Sequence, residues 1–460
     1  SAGSQPMVSN DGRYVLSYNG EIYNFRELRN ELKALNYQFK SETDSEVVLY
    51  SWAEWGEDSV NKFNGMFAFS IWDNKEKTLF LVRDRYGIKP LYYAKWGDVF
   101  LFGSEQKAIL QHPASENEID KRALVEYFTF QNIFTNRTFI KDIKILEPAS
   151  IAKIRFGIDY NLQIRQYWDY NFQEPEGKIV ELEYFEELDR LLKQAVKRQL
   201  VSDVELGSYL SGGMDSGTLV ALASRELPYI KTFTCGFDLS SASGIELAFD
   251  ERQKSESLSA LYKSEHYEMV LKSGDMQRCL PSLAYHLEEP RVGQSYPNYY
   301  ASKLASKFVK VVLSGSAGDE LFAGYPWRYY RAAINTDFED YIDKYYLYWQ
   351  RLISNKEIKK VFEPIWEDIN SIWTRDIFRD VFSNHNQQLS SPEDYINHSL
   401  YFEAKTFLHG LLVVEDKLSM AHSLETRLPY LDNDLVDFAM QCPVNLKLNN
   451  LQETLRVNEN

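Results

Sequence analysis

Up to about residue 110 the apolar positions come in short blocks: "RYVLSYNG", "GMFAFSIWD", "KTLFLVRDR", "PLYYAKWG" and "VFLFGSE". Blocks of this length, separated by turn chemistry such as "DNKEK", predict β-strands. Between the first two blocks Phe25, Leu28, Leu32 and Leu35 recur at helical spacing, and Val48, Trp52 and Trp55 do so after them, which predicts two helices. Strands and helices grouped in this way predict a layered α+β domain. The polar, Pro-containing stretch "LQHPASENEID" then reads as a linker, with Asp120 placed to cap a following helix. It sets the expected boundary, with one domain over 1–112 and a second over 113–460.

In the second part a long amphipathic helix is predicted at about 181–201, with Phe185, Leu188, Leu192, Ala195 and Val196 on one face. From about residue 204 the rhythm becomes strand then helix, repeated: "VELGSYL" into "MDSGTLVALASREL", "KTFTCGF" into "DERQKSESLSALYK", "EHYEMVL" into "DMQRCLPSLAYHL", and "FVKVVLSG" into "DELFAGYPWRYY". This alternation predicts a parallel sheet wrapped by helices, whose ligands bind at the carboxyl ends of the strands. The aromatic-rich segment from about 335 to 410 is helical by pattern and reads as scaffold.

Composition narrows the functional classes. The chain has 460 residues, 44% hydrophobic and 26% charged, enough apolar surface for folded domains and too long for one ordinary core. A formal net charge of −16 opposes binding to nucleic acid or an anionic membrane surface, while a few backbone amides can still hold a small anion. Cys235, Cys279 and Cys442 are odd in number and far apart, so neither a disulfide framework nor a zinc site is indicated, and a reducing, cytoplasmic setting is expected. No apolar run reaches the ~20 residues a membrane span needs, and "SAGSQPMVSN" is unlike a signal peptide.

The candidate chemistry sits in two turns. In "YLSGGMDSGTL" the strand ends at Leu210, and Ser211, Gly212 and Gly213 offer amides with little side chain in the way, beside the positive end of the next helix. No Lys follows the glycines, so this is not the common triphosphatase loop. Asp215 stands there instead, a group that can hold Mg²⁺; a plain glycine-rich turn with Asp215 capping the helix is the alternative. "KVVLSGSAGDELFAGY" repeats the plan with Ser314, Gly315, Ser316, Ala317 and Gly318 ahead of Asp319. Two such strand ends side by side would put both carboxylates on one metal ion.

"SGGMDS" resembles the pyrophosphatase loop of ATP-dependent adenylating enzymes. "LSGSAGDELFAGY" and "EDKLSMAHSLETRLPYLD" are similar to the synthetase domain of glutamine-dependent asparagine synthetases, while "YVLSYNGEIYNFRELR", "TDSEVVL", "NGMFAFSIWD" and "RDRYGIKPLYY" resemble that family's class II glutaminase domain. The resemblance covers nearly the whole chain. It implies an Ntn-hydrolase-type αββα glutaminase domain, incomplete at its start, followed by a doubly wound parallel-sheet ATP-pyrophosphatase domain.

The resemblance also implies roles, with ATP and Mg²⁺ as cofactors and aspartate with glutamine or ammonia as substrates. Leu210, Ser211, Gly212, Gly213, Ser216, Ser314 and Gly315 match the nucleotide contacts; Cys235 matches a position near adenine, where a buried thiol is equally compatible. Asp215 and Asp319 match the ligands of Mg²⁺ and pyrophosphate, and Lys417 matches a lysine that steadies charge on phosphate. Asn19, Gly20 and Glu21 match a glutamine-binding and oxyanion loop, and Asp44 matches the carboxylate that receives the glutamine amino group. Arg291 either pairs with a substrate carboxylate or satisfies Glu288 or Glu289. A homodimer is compatible with the family.

Two departures stand out. The family's glutaminase nucleophile is an N-terminal cysteine, whereas this sequence begins with Ser1 and has no cysteine before Cys235. A fragment of a longer chain, or the use of free ammonia, is therefore expected. Ser316 stands where many of these enzymes carry an acid. Two rival readings follow: a related amidoligase or cyclase acting on another carboxylate, and a catalytically weakened nucleotide-binding regulatory protein.

Overall fold

The computed structural model describes residues 3–156, 161–177, 179–240, 250–293, 295–385 and 389–448. The chain forms two compact units, one of Ser1–Glu118 with Asn136–Asp169, the other of Ile119–Thr135 with Tyr170–Asn460.

The first unit is antiparallel. Strands β1 (Met7–Val8), β2 (Tyr14–Ile22), β3 (Gly65–Asp73), β4 (Thr78–Arg83), β8 (Ser150–Arg155) and β9 (Asn161–Gln166) form one sheet in the order β1-β2-β3-β4-β8-β9. Strands β5 (Tyr92–Trp96), β6 (Val99–Gly103) and β7 (Ile143–Ile145) form a second, in the order β6-β5-β7. Strand alternation sends Phe67, Phe69 and Ile71 toward helices α1 (Phe25–Ala34) and α2 (Asp44–Trp55), where they meet Leu28, Leu32, Val47, Val48 and Trp52. Ala68 faces the other way and packs with Leu79, Leu81, Tyr93, Leu146 and Ile154 from both sheets. β3 is thus buried on both sides, which is why "GMFAFSIWD" reads as an unbroken apolar run.

The compact units depart from a single cut at residue 112. β8 pairs with β4, β9 with β8, and β7 with β5, so residues 136–169 return to the first unit. Short strands whose partners lie far away in the chain carry no local mark of the sheet they join. The predicted cap is present: Asp120 accepts from the amides of Arg122 (2.9 Å) and Ala123 (3.2 Å) at the start of the helix Lys121–Phe130.

In the second unit α3 (Glu181–Gln199) precedes five strands, β10 (Leu206–Tyr209), β11 (Lys231–Phe237), β12 (Glu265–Leu271), β13 (Val311–Leu313) and β14 (Glu425–Arg427). All neighbouring pairs are parallel, in the order β12-β11-β10-β13-β14. The connecting helices include α4 (Met214–Glu226), α5 (Arg252–Tyr262), α6 (Asp275–Leu287) and α7 (Ser295–Ala305). Strand succession runs outward from β10 through β11 to β12, then jumps to β13 on the opposite side of β10. That reversal is a topological switch point, the place where open parallel sheets leave a crevice for ligands.

"DELFAGYPWRYY" does not form one helix. It is helical over Gly318–Phe322, interrupted at Ala323 (φ 60°) and Gly324, and resumes at Pro326–Tyr329. The aromatic scaffold is helical as expected, and Tyr345, Trp349, Phe378 and Phe402 pack ring on ring within it. Among the described residues no helix is long and apolar enough to cross a membrane.

Candidate nucleotide site at the carboxyl edge of the parallel sheet

β10 and β13 pair in the register Ser208 with Leu313, so both chains leave the sheet at the same edge and the two predicted turns lie side by side. Each is anchored by its flanking strand: the Leu210 amide donates to the Phe233 carbonyl (3.0 Å), and the Ser314 amide to that of Arg427 (2.9 Å). In the first turn the Ser216 hydroxyl receives the Ser211 amide (3.1 Å) and meets the Ser211 hydroxyl (3.0 Å). Gly212 has a φ of +77°, and a Cβ there would lie 2.5 Å from Cβ of Lys254, so only glycine fits.

The acids meet where the turns touch. A Cβ on Gly318 would lie 2.4 Å from the Asp215 carboxyl, and one on Gly315 would lie 2.9 Å from the Ser216 amide. The second turn's bare backbone therefore admits the first turn's acid. Burial, then the charge of Asp319, push Asp215 up to about 6. Asp319 in turn packs against Gly324, the residue at which the following helix breaks. Among the described residues no cluster of three or more His, Cys, Asp or Glu is arranged to hold a metal. A pair of carboxylates without further protein ligands suits Mg²⁺, which is bound by one or two carboxylates together with substrate phosphates.

Ser314 and Ser316 share a hydrogen bond between their hydroxyls (3.1 Å), and Ser316 donates its amide to Ser314 Oγ (3.3 Å). On helix α8 (His409–Met420), burial raises the proton affinity of Glu415, and the two serine hydroxyls act against that rise. Tyr430 joins from the other side, with its hydroxyl 3.4 Å from the Asp215 carbonyl. Neither residue was singled out from the sequence, although both lie inside "EDKLSMAHSLETRLPYLD"; local patterning carries no signal of contact with a turn so far upstream. Cys235, on β11 beside the first turn, packs with Met269 against an apolar cluster, and burial pushes its thiol up to about 12. A thiol raised this far is a poor nucleophile, which is compatible both with packing and with a position near adenine.

Lys417 is buried, and its Nζ donates to Glu288 (2.5 Å) and to the Leu287 carbonyl (3.1 Å). A phosphate drawing on this lysine must compete with Glu288. Arg291 is 1% exposed and pairs with Glu289 (2.8 Å) while donating to the Ile133 carbonyl (3.1 Å). Of the alternatives for Arg291, the internal partner is the one present.

The sequence model of the family described as "Asparagine synthase" matches residues 187–456, more than half of the chain and all of this sheet edge, and that of the "Glutamine amidotransferase domain" matches residues 1–168. The chain belongs to the asparagine synthase family. Two relatives from Bacillus subtilis (strain 168) agree. "Asparagine synthetase [glutamine-hydrolyzing] 1" is 33% identical over 97% of this chain and 73% of its own length. "Asparagine synthetase [glutamine-hydrolyzing] 3" is 31% identical over 98% and 73%.

In the amidotransferase part of this asparagine synthase family member, Asn19, Gly20 and Glu21 lie on β2 and Asp44 opens α2. The Asp44 carboxylate accepts from the Tyr18 hydroxyl (2.7 Å) and the Ile22 amide (3.1 Å), so it is tied to both flanks of residues 19–21. Burial raises its proton affinity against those bonds. Gly20 lets β2 approach β3 closely, since a Cβ there would lie 2.2 Å from the Met66 carbonyl. Alternation turns the exposed Asn19 to the face opposite buried Tyr18 and Ile22. Sequence reading overlooked Tyr18. Ser1 lies outside the described residues.

Proposed function

We propose that the protein forms asparagine from aspartate, ATP and ammonia, the nitrogen coming from glutamine or from free ammonium, with release of AMP and pyrophosphate. The observation that carries this reading is the meeting of Asp215 and Asp319 between two small-residue turns at the β10/β13 switch point. Two neighbouring like charges, one of them with raised proton affinity, suit a divalent cation.

The residues divide the work as follows. Amides of Ser211, Gly212 and Gly213, with the amino end of α4, hold phosphate oxygens, and Leu210, Ser216, Ser314 and Gly315 complete the nucleotide contacts. Asp215 and Asp319 hold Mg²⁺, which when bound neutralises charge on the departing pyrophosphate. A side-chain carboxylate oxygen of aspartate attacks the α-phosphorus, and the bond to the pyrophosphate oxygen breaks. Lys417, released from or shared with Glu288, steadies the charge that develops on phosphate. In the first unit the Asp44 carboxylate receives the glutamine ammonium, and Asn19 with the Gly20 amide faces the developing oxyanion.

The test is an assay of AMP and asparagine with ATP, Mg²⁺ and aspartate, comparing glutamine with ammonium. Aspartate-dependent AMP with asparagine from at least one nitrogen source is expected. ATP binding without aspartate-dependent AMP would instead favour a regulatory protein, and AMP formed only with another carboxylate a related ligase.

A further inference from the structure

Asp319 sits on a helix too short to hold itself. Gly318–Phe322 is 5 residues long, and both of its flanks are left-handed at residues that carry a side chain, Ala317 (φ 81°) and Ala323 (φ 60°). One turn repays little of the cost of nucleating a helix, and each left-handed alanine adds to that cost. The place of this acid must therefore be fixed by contacts from outside the turn.

The chain supplies them as it leaves. The Gly324 amide donates to the Asp319 carbonyl (2.8 Å), and a Cβ on Gly324 would overlap the Asp319 carboxyl. Tyr325 follows at once, and its hydroxyl reaches back to donate to the carboxyl of buried Glu320 (3.0 Å), the residue after Asp319. The Tyr325 ring is seated in its turn, because the guanidinium carbon of Arg328 lies 3.8 Å from its centre, a stacking distance. Arg328 is buried and pairs with buried Glu403 (2.8 Å), which also accepts the Tyr345 hydroxyl (2.6 Å). A continuous run of bonded and stacked side chains thus joins the aromatic helices to the acid-bearing turn.

Mg²⁺ demands near-ideal octahedral geometry, so small movements of a ligand are felt, and the partners behind a metal ligand are worth roughly 10–100-fold in affinity or activity. Resting on the proposed function, we infer that Tyr325 is a positioning residue for the cation: its hydroxyl, acting through Glu320 and the Gly324 turn, holds Asp319 where it can share Mg²⁺ with Asp215. The aromatic helices then do more than support the fold, since through Arg328 they set the geometry of the metal pair.

The experiment measures binding without turnover. Calorimetric titration with α,β-methylene-ATP, which cannot release pyrophosphate, is run in Mg²⁺ and in EDTA, and the ratio of the two Kd values gives the tightening due to the cation. The proteins are wild type, Y325F, E320Q and Y341F, the last removing a buried hydroxyl bonded to Ser399 (3.1 Å) elsewhere in the same helices. Y325F is expected to lose at least ~10-fold of the tightening, with its Kd in EDTA within about threefold of wild type. E320Q keeps an oxygen to accept the hydroxyl and should lose less, and Y341F should keep the wild-type ratio. A Y325F ratio within about threefold of wild type, an equal loss in Y341F, or an E320Q loss exceeding that of Y325F would overturn the inference, the last because Glu320 itself would then be the ligand. Binding in wild type that Mg²⁺ does not tighten is a different result: it defeats the metal pair of the functional reading, and the role of Tyr325 falls with it.

Discussion

Two acidic turns, one in each unit, show how differently the same residue type is used. In the first unit Arg83 and Asp84 are both fully buried. Asp84 accepts from the amides of Phe67 (3.1 Å), Tyr86, Ile88 and Lys89 (each 3.0 Å). Arg83 donates to the carbonyls of Lys89 (2.8 Å), Leu146 (2.5 Å) and Gly87 (2.6 Å). Each of these seven bonds closes on backbone, so this charged pair serves to shape the loop "RDRYGIKP". In the second unit Asp215 meets Asp319 in place of a cation, and its proton affinity is raised by burial and by that neighbour. A buried charge with all its partners in the protein is architecture; one left beside a like charge is available to a ligand.

That contrast can be broken most severely at the second site. Asp319→Asn should lower aspartate-dependent AMP formation by roughly 10³-fold or more, about 4 kcal/mol of barrier, with the unfolding transition nearly unmoved. Retained activity would mean that the pair holds no metal. Asp84→Ala should do the reverse in kind: four amides lose their acceptor and Arg83 its counter-charge, so denaturant unfolding should show a loss of about 3–5 kcal/mol. A loss below about 1 kcal/mol would erase the distinction between the two turns.

Smaller effects sharpen it. Gly212→Ala puts a side chain at φ +77° and 2.5 Å from Lys254 Cβ. The strain, about 1–2 kcal/mol, should raise KM for ATP on the order of tenfold while the thermal midpoint falls only slightly. Asp215→Asn should stabilise the fold. The folded pKa of Asp215, about 6, lies above its ordinary 3.8, so the folded state binds the proton more tightly. The charge therefore costs stability in full above pH 6, and the cost fades as pH falls from 6 toward 4. Allowing for partial exposure, the gain should be about 1 kcal/mol at pH 7 and absent near pH 4. Denaturant curves at the two pH values check both size and sign.

By itself the order of residues determined the two strand–turn–helix units, the helix near 181–199, the cap at Asp120 and the family. These depend on neighbours a few positions apart, through apolar period, small residues and a capping carboxylate. Which charges are free was settled only in three dimensions. The pairing of β10 with β13 makes Asp215 and Asp319 neighbours, Glu288 holds Lys417, and Glu289 takes Arg291. The return of residues 136–169 to the first unit is of the same kind, since a strand's partner is chosen by the sheet it completes. The reason is physical: propensity acts along the chain, whereas a charge's role depends on the donors, acceptors and like charges that burial brings to it from elsewhere.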